Sequence, residues 1–243
     1  MAIVKGLAGI KRRQEEQAAK AAAGGKKFPD RFFQVFPKRG DEIVVRFLQE
    51  LDDQSENYRE DRGVGVIAVE HQAGNAPKAF MTKALCSMDD EERCFGCEKH
   101  KANYKENWGP KTNLYINVLT NVDGELKTFV LDRNANSSFV QQLIDEAMDE
   151  DEGYSITNSN FKIKKTGSDK QTQWILKRVK SELLDDSEAK VWNIEDEILK
   201  SVPYSDQAAF YGKAFPDSGA SSDSGDSSAA REARPQSTPD DEW

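Results

Sequence analysis

The sequence predicts a mainly β fold with accessory helices, in which a small barrel of about five strands carries an inserted metal-binding subdomain. Three observations carry that expectation. Six segments read as strands, four of them arranged as two hairpins joined by Gly- or Asp-containing turns. One helix-periodic segment interrupts the strands, and a Cys-x-x-Cys with a third cysteine and a histidine upstream falls between the first strands and the first hairpin. At 243 residues and 37% hydrophobic, the chain can build one sizeable core or two small ones, though not from its whole length.

Residues 2 to 23 suit a helix with Ile3, Leu7 and Ile10 on one face, and Gly24-Gly25-Lys26-Lys27 breaks it. Residues 42 to 49 (Glu-Ile-Val-Val-Arg-Phe-Leu-Gln) read as a strand, and residues 64 to 70 as another after a charged loop. The clearest hairpin spans residues 113 to 131, with Leu114, Ile116 and Val118 on one side and a turn at Val122-Asp123-Gly124. Residues 137 to 150 read as a helix capped by Ser137 or Ser138, with Phe139, Leu143, Ile144 and Ala147 as its apolar face. A second hairpin runs from Tyr154 to Lys165, turns at residues 167 to 170 and returns to Lys180. Residues 187 to 200 are predicted as a further helix. Uneven loops around five strands favour a Greek-key barrel, and an OB-fold-like five-stranded barrel with an inserted zinc subdomain is the specific expectation.

Charge divides the chain into three parts: a basic N-terminal arm at residues 1–27 (+5), a core at 28–215 with its zinc subdomain at about 64–110, and an acidic tail at 216–243 (−5). The net charge of −9 argues against nucleic acid unless a local basic surface exists, and residues 161 to 180 supply one at +6. Gly, Ser, Asp and Pro dominate the tail, a composition that does not support a core, and Asp240, Asp241, Glu242 and Trp243 form an acidic partner-binding cluster with one aromatic anchor. No apolar run approaches the roughly 20 residues that span a bilayer. The apolar stretch 2–10 precedes Lys11-Arg12-Arg13, the reverse of a secretory signal, so a cytoplasmic, non-secreted protein is expected.

An odd count of three cysteines favours a metal over disulfides. Cys94-Phe95-Gly96-Cys97 lets a tight turn aim two thiolates at one ion, with Gly96 free to take an unusual backbone conformation. Cys86 is the third ligand. The fourth is a histidine: His71 at the end of a strand, or His100, which would complete Cys94-x-x-Cys97-x-x-His100 at the cost of crowding three ligands into one short segment. A complete four-ligand set leaves no place for a substrate water, so one structural Zn²⁺ is expected and no catalysis. Nothing in the sequence forms a glycine-rich phosphate loop or a nucleophilic triad, and the chain is read as a non-enzyme. The acidic run 145–152 reads as the solvated end of a helix and as a place that can receive a neighbour's basic arm.

Binding of single strands requires rings on which bases stack and cations that follow phosphates. The candidates are Lys101, Lys105, Trp108, Lys111, Tyr115, Lys127, Phe129, Arg133, Lys162, Lys164, Trp174 and Lys177. Tyr115 is favoured because it alternates with Leu114 and Ile116, and Trp108 because it lies in a polar loop.

In their order, motifs and architecture these features resemble the single-stranded-DNA-binding, helix-destabilising proteins of T-even-type bacteriophages. Ile43-Val44-Val45-Arg46-Phe47-Leu48 is similar to that family's first core strand, His71, Cys86, Cys94 and Cys97 follow its ligand order, and Lys111 to Leu119 is similar to the basic, aromatic strand after its zinc segment. The spacer between Cys86 and Cys94 differs in length, and residues 181 to 215 have no clear counterpart. The resemblance implies cooperative coating of single-stranded DNA during phage replication, recombination and repair in an infected bacterial host. It further implies self-association through an arm bearing Lys11, Arg12 and Arg13, and recruitment of replication and recombination proteins by the tail. The rival expectation from the residues alone is a zinc-ribbon protein-binding adaptor in replication or transcription.

Overall fold

The computed structural model describes residues 29–36, 42–167 and 172–215. The arm with Lys11, Arg12 and Arg13, the tail with Asp240, Asp241, Glu242 and Trp243, and most of the turn after Gly167 lie outside the described residues.

Alternation decides the first strand, β1 (Glu42–Phe47): Ile43, Val45 and Phe47 turn inward while Glu42, Val44 and Arg46 turn out. After a long loop come β2 (Val66–His71) and the short β3 (Ala84–Leu85). Two short helices follow, α2 (Met88–Glu91) and α3 (Phe95–Ala102), α1 being the single turn Phe32–Val35 near the start of the described chain. The predicted hairpin is longer than its apolar alternation, with β4 at Lys111–Val122 and β5 at Glu125–Asn134. Its two-residue turn places Asp123 and Gly124 both at positive φ, 54° and 88°, a geometry that matches strand twist and suits Asp-Gly. Helix α4 (Ser138–Ala147) is capped as predicted, Ser137 Oγ accepting from the Val140 amide. Strands β6 (Asn160–Thr166) and β7 (Gln173–Val179) form the second hairpin, and α5 (Tyr204–Gly212) closes the described chain.

All seven strands join one antiparallel sheet in the order β3–β2–β4–β1–β6–β7, with β5 on the remaining edge of β4. The other edge of β4 is shared. Its first half pairs with β2 (Tyr115 opposite Val66) and its second half with β1 (Val118 opposite Phe47). One face of this sheet surrounds the main core of Phe32, Phe47, Ile116, Phe129, Leu131, Phe139, Leu143, Phe161 and Ile163, where each fully buried side chain contributes about 1.5–3 kcal/mol. Helix α4 fastens to β7 through Gln142, whose Nε2 donates to the Trp174 carbonyl and whose Oε1 accepts from the Leu176 amide, both at 3.0 Å. Buried Glu50 anchors the approach to β6 by accepting from Ser155 Oγ, Thr157 Oγ1 and two backbone amides.

The opposite face of β4 and β5 is also covered. Residues 192–199 lie across it, placing Ile194 and Ile198 on Tyr115, Val130 and Ala68. This is where the predicted helix 187–200 gives way to a single π-helical turn, Ile194–Ile198. Asn117 holds Trp192 by both backbone groups, and the Lys200 carbonyl accepts from the Leu85 amide, so tertiary pairing draws this segment out of a helix.

Candidate metal centre and nucleic-acid interface

The pairing of β2 with β3 sets His71 opposite Ala84, and the Cys86 amide donates to the Val69 carbonyl, so the ribbon delivers His71 and Cys86 side by side. Cys94 is the N-cap residue of α3 and Cys97 lies in its first turn. The four ligand atoms lie within 4.8 Å of one another, with Cys86 Sγ to Cys97 Sγ at 3.7 Å and Cys97 Sγ to His71 Nε2 at 3.3 Å. Thiolates about 2.3 Å from a tetrahedral ion stand roughly 3.8 Å apart, and a thiolate and an imidazole roughly 3.5 Å, so the donor set has the dimensions of a tetrahedral metal site.

The surroundings prepare each donor. His71 is fully buried, and its Nδ1 donates to the Trp108 carbonyl at 2.7 Å, which leaves the Nε2 lone pair facing the thiols. Burial holds its pKa below the ordinary histidine value, keeping the neutral, ligating form. Burial pushes the Cys86 thiol up, and burial with the neighbouring cysteines pushes Cys97 up to about 12. At Cys94 burial acts the same way but is outweighed by hydrogen bonds from the backbone amides of Cys97, Ser87 and Gly96, which bring it below the ordinary thiol value. Cys86 and Cys97 therefore resist ionisation unless a cation among the donors compensates their charge, while Cys94 is the readiest of the three to ionise.

Gly96 is required for a reason other than the predicted one. Its φ is not positive; instead, a Cβ there would stand 2.4 Å from Cγ of His71, so the imidazole packs directly on the helix backbone. His100 stays outside the ligand group, its ring against Gly109.

The lobe around this centre includes residues that the sequence did not reveal. Helix α5 packs Tyr211 against Trp108 and Phe95, at ring-centroid distances of 5.4 and 6.0 Å, and Gln207 accepts from the Phe95 amide and donates to Ser87 Oγ. Gln207, Tyr211 and Ala214 recur at helical spacing, a signal that marks the helix but not its partner.

The structure corrects the base-stacking set. Trp108 is buried inside the metal lobe, Phe129 in the main core beside Phe32 and Phe36, and Tyr115 under residues 192–199. Tyr115 faces away from Leu114 and Ile116 as expected, but that face is covered. Its hydroxyl donates to buried Glu70 at 2.5 Å, Glu70 also pairs with Lys83, and burial with the Glu70 charge raises the phenol pKa. Trp174 is half-buried, edge-on to Phe33 at 4.6 Å. Arg133 stacks on Phe33 at 3.4 Å, and its half-buried guanidinium is part of that packing.

Among the cations, Lys101, Lys105 and Lys177 are exposed, Lys101 on α3, Lys105 in the 3-10 turn after it and Lys177 on β7. Lys111 is half-buried where β4 begins, and exposed Lys127 pairs with Glu125 at 3.0 Å. Lys162 and Lys164 both grip Glu42, at 2.9 and 2.8 Å, and hold its carboxyl down at about 2. Two rings stand open on the lobe: Tyr104, which the sequence interleaves with Lys101 and Lys105, is 71% exposed, and Phe80, which the sequence did not mark, 75%. Arg46 and Arg62 converge on Asp186.

Compared with protein-family models, curated proteins and solved structures, the chain matches none. Among the described residues no helix is long and apolar enough to cross a membrane.

Proposed function

We propose that this chain is a single-stranded-DNA-binding protein of the kind found in T-even-type phages, built on an OB-type barrel braced by a structural zinc. The observation that carries the reading is topological. In chain order, β1, β4, β5, β6 and β7 form an antiparallel series β5–β4–β1–β6–β7, with a helix between the third and fourth of them. That is the arrangement in which an OB-fold presents its second and third strands to an oligonucleotide, flanked by the first and last loops. Here the metal lobe occupies the first of those connections and the lysine-rich β6–β7 ribbon frames the last. Exposed Lys101 and Lys105 then stand on one flank and Lys177 on the other, with Tyr104 and Phe80 as open rings on the lobe.

One imidazole and three thiolates suit Zn²⁺, which His71, Cys86, Cys94 and Cys97 would hold. With all four positions taken by protein, the ion's contribution is to tie α3 to the β2–β3 ribbon. Phosphate contacts supply affinity with little sequence preference, the arm makes coating cooperative, and the tail recruits replication and recombination proteins. The protein acts without catalysis in the cytoplasm of an infected bacterial host.

A protein-binding adaptor remains the second reading, favoured by the cover over β4 and β5 and by the net charge of −9. Titration with oligo-dT and with duplex DNA at two salt concentrations separates the two. The expected result is preference for the single strand, with log K falling with log salt by about 0.7 per phosphate contact. Joint substitution of Lys101, Lys105 and Lys177 by Ala flattens that slope by about 2. Absence of oligo-dT binding at low salt overturns the reading.

A further inference from the structure

Residues 181–200 cross the face of the sheet opposite the main core as one strap, irregular apart from the turn Ile194–Ile198. A polar side chain of each strand holds it in turn. Asn160 on β6 donates to Ser181 Oγ and the Glu182 carbonyl and accepts from the Leu184 amide. Its cross-strand neighbour Arg46 on β1 donates to the Leu184 carbonyl at 2.8 Å, and Asn117 on β4 holds Trp192. The strap is acidic, with seven Asp or Glu against Lys190 alone between residues 181 and 199. Its halves differ: residues 192–199 bury Ile194 and Ile198, whereas none of residues 181–190 is buried.

One carboxylate pins the unburied half. Asp186 bridges two guanidiniums, Oδ1 meeting Arg46 at 3.2 Å and Oδ2 meeting Arg62 of the β1–β2 loop. The arginine side chains are only 16% and 8% exposed, and among the described residues no other carboxylate pairs with either. Gln49 fixes the Arg62 carbonyl at 2.8 Å. A cavity of about 380 Å³ opens beside Asp186, lined by Arg46, Arg62, Arg59, Asn57, Tyr58 and Asn158.

We propose that Arg46 and Arg62 form a phosphate site that Asp186 occupies in the closed state, and that residues 181–190 are a gate which a phosphate of the bound strand displaces. Two guanidiniums that each meet one oxygen of a carboxylate offer the same donors to the two non-bridging oxygens of a phosphodiester. One anion replaces another, so neither nearly buried cation is left unpaired. Opening gives up hydrogen bonds that water replaces but no buried apolar side chain, while Ile194 and Ile198 keep the rest of the strap in place. The inference deepens the single-strand reading and rests on it for the source of the phosphate; the site itself requires only the phosphate group.

Hydrogen exchange of the full-length, metal-loaded protein with and without oligo-dT tests the gate with no substitution. Faster exchange in residues 181–190 with retained protection at 194–199 is expected. Asp186→Asn frees the site, tightening oligo-dT binding at low salt by roughly tenfold, as for one charge-assisted hydrogen bond, and steepening the salt slope by about 0.7 per added phosphate contact. Adding Arg62→Gln removes the gain. Glu188→Gln deletes an exposed charge from the same segment without releasing an arginine and leaves affinity unchanged. If Asp186→Asn melts too low to assay, exchange in the parent decides. Oligo-dT binding with unchanged exchange at 181–190, or with equal responses to Asp186→Asn and Glu188→Gln, overturns the gate and leaves the single-strand reading standing. Inorganic phosphate separates the sources: if it raises the melting temperature of Asp186→Asn in an Arg62-dependent way while no form binds oligo-dT, the phosphate site stands and the single-strand reading falls. Response to neither probe overturns both.

Discussion

Beside the main sheet, Phe32, Phe47, Phe139 and Phe161 are fully buried within a cluster of fifteen apolar side chains drawn from β1, β4, β5, β6, β7, helices α1 and α4 and the loop before β6. In the metal lobe, the corresponding cluster has six buried members and four of them are alanines, leaving Trp108 and Tyr211 as its only large residues. Apolar burial scales with the area removed from water, so the main core contributes far more packing stability than the smaller cluster of the lobe. The lobe substitutes specific linkages: the His71 and cysteine donor set, the Gln207 bridge to Phe95 and Ser87, and the Nδ1 bond of His71 to Trp108. One chain therefore contains two kinds of stability, one from packing and one that a metal ion held by the His71 and cysteine cluster would complete.

Metal removal probes this difference with the largest expected effect, since structural zinc sites bind with about 10–16 kcal/mol at neutral pH. Chelation, or Cys97→Ser, abolishes hydrogen-exchange protection in β2, β3, α3 and α5 and leaves β1, β5, β6 and β7 protected. A single melting transition unaffected by chelator, or loss of protection throughout the sheet, would break the comparison.

Glycine substitutions sharpen it at intermediate size. A methyl group at Gly96 meets His71 Cγ at 2.4 Å, and neither the ligand ring nor the helix backbone has room to yield. At Gly65, beside the main core, the nearest atom is the flexible Leu51 Cδ2 at 3.3 Å. Gly96→Ala is expected to cost about 1–3 kcal/mol, the usual range for overpacking, and to weaken metal retention against a competing chelator, whereas Gly65→Ala has little effect on either. Equal responses at the two positions would show that the donor set tolerates displacement.

The same contrast explains what the sequence disclosed. Periodicity is imposed by a core on one face, so the β4–β5 hairpin could be read from Leu114, Ile116 and Val118, and the Ser137-capped helix from Phe139, Leu143, Ile144 and Ala147. The ligand set was legible because thiolate spacing is local chemistry, although choosing His71 over His100 needed the pairing of His71 with Ala84. What remained hidden depends on contacts distant in sequence. Tyr115 alternates correctly, yet residues 192–199 return from far along the chain to cover it. Trp108 sits among polar neighbours in sequence and among Phe95 and Tyr211 in space. The role of Gly96 followed from a ring 25 residues away rather than from its own φ.

The smallest expected effect belongs to the surface of the sheet, at Glu42 on β1. Lys164 and Lys162 lower its pKa from 4.5 to about 2, so the folded carboxyl binds its proton less readily than the unfolded one. The stabilisation is therefore fully present above about pH 4.5 and is lost as pH falls from there towards 2. Because the carboxylate is exposed to solvent and salt, Glu42→Gln should leave the melting temperature at pH 7 nearly unchanged, in contrast to Gly96→Ala. Its functional effect points the other way. Neutralising Glu42 releases two lysines on the ribbon, and each that reaches a phosphate steepens the salt dependence of oligo-dT binding by about 0.7. A melting loss at pH 7 as large as that of Gly96→Ala would mean that the exposed ribbon, like the lobe, relies on a specific linkage. An unchanged salt slope would mean that Lys162 and Lys164 do not face the DNA.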